Sequence, residues 1–178
     1  NENSVFETFN LDTKYAIEQA FYISNNQKIT SNFSVQYGVR YSIFENIGAG
    51  RVFNYAPDKP LDKKTITDTV TYSSLQPINF YHGLEPRIGA RFQVTESSSI
   101  KSSYNRTMQY LQIASTSTAG LPIDRWIPAD RYIRPQISDQ VALGYFKNFY
   151  DNTFETSVEV YYKDMQNQID FKDGAEIL

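Results

Sequence analysis

Apolar and polar residues alternate one by one along several long stretches of this chain, most cleanly over residues 29–43. There Ile29, Phe33, Val35, Tyr37, Val39, Tyr41 and Ile43 fall on one side of an extended chain. Thr30, Asn32, Ser34, Gln36, Gly38, Arg40 and Ser42 fall on the other. Strand side chains change face at every residue, whereas a helix brings a face round every three or four. The period therefore predicts strands. A polar turn, Ser24-Asn25-Asn26-Gln27-Lys28, separates this run from one over 15–23, and the two are expected to pair as a hairpin of about residues 14–44. A second hairpin is expected over 84–111 around Thr95-Glu96-Ser97-Ser98, and a third over 140–166 around Asn148-Phe149-Tyr150-Asp151-Asn152.

The connections between hairpins differ in kind from the turns within them. Residues 45–83 and 112–137 are long, irregular in pattern and rich in Pro, Asp, Lys, Thr and Ser. Short turns at one end and long loops at the other are the asymmetry of outer-membrane barrels, whose strands carry one face for lipid and one for a polar interior. Strands of roughly ten or more residues are what a bilayer requires, and soluble sheets usually use five or six. The fold class expected is all-β: an antiparallel up-and-down transmembrane β-barrel segment of about six strands in three hairpins. On the first hairpin the lipid-facing row is Phe33, Val35, Tyr37, Val39 and Tyr41.

Composition narrows the function classes. Mean hydropathy is −0.49, but alternation cancels in such an average, and no run approaches the ~18 apolar residues of a spanning helix. The 14 Tyr, 12 Phe and one Trp suit the aromatic girdles of a barrel wall. Cysteine is absent, which excludes a disulfide framework and thiolate metal sites. The net charge of −3, with no basic cluster, argues against nucleic acid. His82 is the single histidine, placed at a strand end, so neither a His-based triad nor a two-His metal site is assembled. Neither an enzyme nor a metal or other cofactor is expected. Asn1-Glu2-Asn3-Ser4 shows no signal-peptide character. Six strands fall short of the about eight that close a barrel, so the chain reads as a piece of a larger wall.

Candidate binding residues follow from the polar faces. Glu85, Arg87, Arg91 and Gln93 share one face, and Lys101, Ser103, Asn105, Thr107 and Gln109 make a second row beside it. Arg87, Arg91, Lys101, Asn105 and Gln109 are the expected lumen-facing, substrate-contacting set. Its functional reading is contact with a plug or an anionic solute, and its ordinary reading is a hydrated lumen with Glu85 and Arg87 pairing locally. Pro86 suits a strand start or bulge, since proline removes a ladder donor. Glu155 and Glu159 lie about 13 Å apart on one strand, too far for a carboxylate pair acting together. With Lys163 they make a charged stripe. Trp126, among Leu121, Pro122, Ile123, Ile127 and Pro128, is the loop residue most suited to touching substrate or a partner. The Asp58, Lys59, Asp62, Lys63, Lys64, Asp68 cluster reads as a solvated loop.

Several segments resemble the barrels of TonB-dependent receptors from Bacteroidetes. Leu84-Glu85-Pro86-Arg87-Ile88-Gly89-Ala90-Arg91-Phe92, then Ser99-Ile100-Lys101-Ser102-Ser103-Tyr104-Asn105-Arg106, are similar to the family's "EPR-G-R" and "S-KASYNR" stretches. Gly120-Leu121-Pro122-Ile123-Asp124-Arg125-Trp126-Ile127-Pro128, then Ile133-Arg134-Pro135-Gln136-Ile137-Ser138-Asp139-Gln140 and Gly144-Tyr145, resemble its "LP-D-W-P … I-PQ-SDQ-ALGY" pattern. The stretch from Glu159 to Ile169 is similar as well. The match runs over about 84–175. The resemblance implies import of a nutrient (siderophore, vitamin, glycan or peptide) through a plugged barrel of roughly 22 strands in the bacterial outer membrane. Its implied partners are outer-membrane lipid, the TonB complex through an N-terminal region with plug and TonB box, and a surface lipoprotein. Two other classes stay open: a soluble β-sandwich binding or adhesion domain, which needs the Tyr37, Val39, Tyr41 face to meet a second sheet, and an outer-membrane barrel enzyme.

Overall fold

The computed structural model describes residues 13–61, 63–114, 125–151 and 153–169, and nearly all of its regular structure is strand. In chain order the strands are β1 (Tyr15–Lys28), β2 (Phe33–Ile47), β3 (Gly50–Tyr55), β4 (Ile66–Tyr72), β5 (Pro77–Thr95), β6 (Ser98–Gln109), β7 (Leu111–Ala114), β8 (Arg125–Pro128), β9 (Gln136–Phe149) and β10 (Phe154–Gln166). Six of them form one sheet in the order β1-β2-β5-β6-β9-β10, while β3-β4 and β7-β8 form separate two-stranded sheets. The β5-β6, β6-β9 and β9-β10 ladders are antiparallel. The all-β, up-and-down expectation is therefore met. Among the described residues no helix is long and apolar enough to cross a membrane; a β-barrel crosses with strands.

The chain divides into two units: Asn1–Ile17 with Glu45–Phe80, which contains the β3-β4 hairpin, and Glu18–Phe44 with Tyr81–Leu178, which contains most of the long sheet. Within the second, the buried apolar cluster of the described residues is Phe44, Tyr110 and Ala129, with Tyr81 and Met108 packed against it.

The structure corrects several sequence-based boundaries. The first turn is not Ser24 to Lys28. β1 runs through those residues, with Asn25 Nδ2 donating to Tyr37 Oη at 2.9 Å. The turn falls at residues 29–32, where Ile29 N and Thr30 N donate to the Phe33 carbonyl at 2.9 and 3.1 Å. Thr30 Oγ1 accepts from Phe33 N at 3.0 Å. A hydroxyl that returns to the backbone within three residues stabilises a turn locally, and the asparagines lack that contact here.

The two long connections are also less irregular than expected. Residues 45–83 include β3 and β4, paired from Gly50↔Tyr72 to Tyr55↔Ile66, and the start of β5. Residues 112–137 include β7 and β8. The Thr-rich alternation of β4 is good strand sequence, hidden by the Pro, Asp and Lys around it. Pro86 and His82 both lie inside β5 rather than at a strand end. The β5-β6 register runs from Thr95↔Ser98 up to Arg87↔Asn105, beside the proline that cannot donate. His82 meets Tyr41 with ring centroids 5.8 Å apart.

Gly38 is a position where the sheet needs glycine. A Cβ there would lie 2.8 Å from the Ile23 carbonyl oxygen and 2.8 Å from Ser24 Cβ, so β1 and β2 would have to part. Gly38→Val is expected to destabilise by about 2 kcal/mol through overpacking. Gly50→Ala, with nothing within 4 Å of the added carbon, should change stability by less than about 0.5 kcal/mol. Urea unfolding of the receptor refolded into lipid vesicles measures both, and equal effects would refute the close-approach account.

Candidate functional site

Residues directly opposite one another in an antiparallel ladder project to the same face, so the registers fix which side chains meet. β5 and β6 pair Arg87↔Asn105, Gly89↔Ser103, Arg91↔Lys101 and Gln93↔Ser99. β6 pairs Lys101↔Gly144, Asn105↔Gln140 and Gln109↔Gln136 with β9, and β9 pairs Gly144↔Glu159 and Gln140↔Lys163 with β10. Five sequence-predicted residues, Arg87, Arg91, Lys101, Asn105 and Gln109, therefore share one polar face. Glu159 and Lys163 share it too.

A groove of about 610 Å³ runs over this face, lined by Gln36, Gly89, Arg91, Lys101, Gly144 and Glu159 among others. Arg91 Nη2 donates to Gln93 Oε1 at 2.8 Å. Lys101 Nζ stands 4.1 Å from the centroid of the Phe146 ring, a cation–π geometry. Gln109 Nε2 is spent on the Leu111 carbonyl at 2.6 Å, which makes it a turn residue more than a free lumen group.

At the far end of the same face, the segment after β6 folds back onto the sheet. Tyr110 is 1% exposed. Its ring stacks on Phe44 at 4.9 Å with parallel planes, and its hydroxyl lies 2.7 Å from Ser42 Oγ. Ala129 N donates to the Tyr110 carbonyl at 2.6 Å, and Tyr81 Oη donates to the Asp130 carbonyl at 2.8 Å. Burial pushes the Tyr110 phenol above its ordinary range, against the hydrogen bond with Ser42, which lowers it. Beside this cluster Glu85 is 1% exposed. Arg40 Nη1 donates to its Oε1 at 3.0 Å and to its Oε2 at 3.3 Å, and Arg40 Nη2 reaches Glu18 Oε1 at 3.3 Å. The expected local Glu85–Arg87 pair is present only at 4.0 Å. Arg40 is the real partner.

Arg40, Ser42, Phe44 and Tyr110 are the residues that sequence reading missed. Arg40 and Ser42 were visible only as members of a polar row, and the one available signal was Phe44, an aromatic on a face otherwise polar.

Trp126 lies apart from the groove. It sits in β8 opposite Ile113 and is exposed, as are Ile113 and Leu111. On the other side of that hairpin Gln112 is buried and Gln112 Nε2 donates to the Arg134 carbonyl at 3.2 Å. Leu121, Pro122 and Ile123 lie outside the described residues.

The opposite face of the long sheet is apolar. Along β9 it reads Asp139, Val141, Leu143, Tyr145, Lys147, and along β10 Asp164, Tyr162, Val160, Val158, Thr156 in matching register. Val141, Leu143, Tyr145, Val158, Val160 and Tyr162 are all exposed. Charge returns at one border, where Arg106 Nε and Nη2 donate to Asp139 Oδ1 and Oδ2, each at 2.8 Å, and Tyr104 Oη donates to Oδ1 at 2.8 Å. The row Phe33, Val35, Tyr37, Val39, Tyr41 is half-buried to exposed. Among the described residues no group of three or more His, Asp or Glu is gathered to hold a metal ion.

A family model described as "TonB dependent receptor-like, beta-barrel" matches residues 2–177. No curated protein and no solved structure matches the chain.

Three substitutions test the folded-back segment. Arg40→Gln leaves the Glu85 carboxylate buried without its partner and should cost about 3 kcal/mol, whereas Glu85→Gln should cost less; chemical unfolding in vesicles gives the order, and the reverse order would refute the buried-pair account. Tyr110→Phe removes one hydrogen bond worth about 1 kcal/mol. It should speed protease cleavage of the segment between β6 and β9. In the wild type the raised phenol makes its contribution complete below the ordinary tyrosine range, to be lost as pH rises through the folded value. Cleavage should therefore accelerate only in strong alkali, and a Tyr110→Phe protein should lack that alkaline step.

Proposed function

We propose, from the premise that the chain belongs to the TonB dependent receptor-like β-barrel family, that it forms wall and loops of a receptor importing a nutrient such as a siderophore, vitamin, glycan or peptide. The family is one of outer-membrane receptors of Gram-negative bacteria. Its members act with the TonB complex and serve transport rather than catalysis.

The observation that carries the reading is the apolar band on one face of β9 and β10. From Asp139 to Lys147 it spans nine residues, eight steps of the strand or about 27 Å. Tilted by about 40°, that is roughly 21 Å of height, close to the ~25 Å lipid-facing band of outer-membrane barrels. Charged residues mark both borders, and the opposite face over the same length mixes Gln140, Lys163, Glu159 and Ser157 with Ala142, Phe146 and Tyr161. Exposed contiguous apolar surface of this kind needs a non-aqueous neighbour. A soluble β-sandwich would bury it against a second sheet, and the family match favours the barrel wall over that alternative.

In this reading Phe33, Val35, Tyr37, Val39 and Tyr41 face lipid. Arg87, Arg91, Lys101 and Asn105 face the lumen, with Gln109 at its rim. The Bacteroidetes type is supported by the motif set from Leu84 to Gln140, and a surface lipoprotein partner by the exposed Leu111, Ile113 and Trp126 on one side of the β7-β8 hairpin.

These 178 residues hold no cysteine, so in a receptor freed of any cysteine elsewhere, single cysteines introduced at Phe33, Val35, Tyr37 and Val39, and at Ser34 and Gln36, report one position at a time. In receptor refolded into liposomes, an environment-sensitive label should be quenched from the lipid phase at the first four positions and from water at the other two. Loss of that alternation, with the first four buried and dry in detergent-free buffer, would overturn the wall reading.

A further inference from the structure

The sheet opposes like charges at Arg91↔Lys101 and at Asp139↔Asp164, and only in the second is one member neutralised by an ion pair, Asp139 with Arg106. Like charges directly opposite on neighbouring strands are destabilising, yet these two cations face each other across β5-β6. Among the described residues neither meets a carboxylate: Arg91 bonds Gln93 and Lys101 rests over Phe146. The basic groups Arg40 and Arg106, by contrast, are each paired with a carboxylate at 3.3 Å or closer.

The surroundings leave room for a third party. Gly89 flanks Arg91 on its own strand, with only the Ser102 carbonyl oxygen, 3.8 Å away, near where a Cβ would stand, and Ser103 flanks Lys101. Across the sheet, the place of a Cβ on Gly144 is taken by the Phe146 ring and by Glu159, whose Cγ lies 3.0 Å from it, so the open part of the groove is on the Gly89 side. Phe146 leans over Gly144, its ring 2.8 Å from where a Cβ would stand, and holds the Lys101 ammonium from one side. One row further on, Glu159 faces Gly144, two strand spacings or about 10 Å from the Lys101 backbone. All of these residues line the same groove of about 610 Å³.

We propose that Arg91 and Lys101 together form a carboxylate-binding site on the inner wall, with Phe146 positioning the lysine and Glu159 disfavouring ligands that carry a second negative charge. The site rests on the inner-face assignment above. A guanidinium and an ammonium converging on one carboxylate make charge-assisted hydrogen bonds, and the bound anion removes the repulsion that the bare pair carries. The carboxylate comes either from a side chain elsewhere in the same receptor or from a soluble molecule in the lumen. Both sources present one chemistry.

The test uses the complete receptor, first checked for the heat-modifiable migration of a folded barrel. Failure at that check would sink the wall reading itself and is distinguishable from failure of the binding site in a folded barrel. Lys101 acylation by an amine-reactive reagent is followed by peptide mass spectrometry in acetate and in chloride of equal ionic strength, and a carbodiimide is used to join Lys101 to any carboxylate in contact. Slowing in acetate of about threefold or more, lost in Arg91→Gln, supports the site with a soluble source. A carbodiimide link from Lys101 to a peptide outside the 178 residues, likewise lost in Arg91→Gln, supports it with an internal source. The proposal falls if Lys101 reacts like an exposed lysine in both salts and forms no link, or if its link is to Glu155 or Glu159 of β10, two strands away.

Discussion

Hydrocarbon offers a backbone amide no hydrogen-bond partner, so a chain that crosses it in extended form must satisfy each N–H and C=O from the strand beside it. The sheet β1-β2-β5-β6-β9-β10 is organised by that demand. Its ladders keep register over long stretches, thirteen consecutive pairs between β9 and β10 from Phe154↔Phe149 to Gln166↔Ile137. An unbroken register keeps each face uniform, because a slip by one residue would exchange the two faces. The apolar band and the polar groove are then two readings of one constraint. Where the ladder is interrupted, as the β5-β6 register ends beside Pro86, the structure turns to side chains. Glu85, Arg40 and the folded-back Tyr110 segment occupy that end.

That end is built on different physics from the rest. Along the band, stability comes from ladder hydrogen bonds and from whatever covers the apolar face. Around Phe44, Tyr110 and Ala129 the chain makes a small water-excluding core of its own, with a buried carboxylate held by Arg40. Burying an ion pair is weak evidence for stability, since desolvation offsets much of the attraction. It does fix geometry: a carboxylate that is 1% exposed tolerates few arrangements of its neighbours. The segment between β6 and β9 is thereby anchored at its base while Trp126, Ile113 and Leu111 stay exposed above it.

The alternation at period two makes the six long strands and their two faces legible in the sequence, because it is a local property written residue by residue. Arg87, Arg91, Lys101 and Asn105 were placed on one face by parity alone, and the registers agree. Turn positions were less legible. The Ser24-Asn25-Asn26 stretch has turn composition, but whether Thr30 or Asn25 finds a backbone partner depends on neighbours across the hairpin. The hairpins β3-β4 and β7-β8 were hidden by the polar composition around their short strands. The Arg40–Glu85 pair, 45 residues apart, and the Ser42–Tyr110 contact, 68 apart, were out of reach. They depend on how one hairpin docks beside the next, which periodicity does not encode.

The sheet's charged pairs show where local rules and function part company. Arg106 and Asp139 sit opposite each other at the border of the apolar face and neutralise each other through paired hydrogen bonds, an arrangement that needs no further partner. Arg40 divides itself between Glu85 and Glu18 for the same reason. Arg91 and Lys101 had comparable freedom to be separated or paired: a serine or glutamine at either position would have fitted a polar face, as Gln93 and Ser103 do. Sequences generally satisfy local preferences everywhere except where a function holds a group in place. Asp139, opposed to Asp164, is at least neutralised by Arg106; the opposed cations Arg91 and Lys101, beside two glycines and an aromatic ring on the polar face, have no such carboxylate among the described residues, and that is what sets them apart.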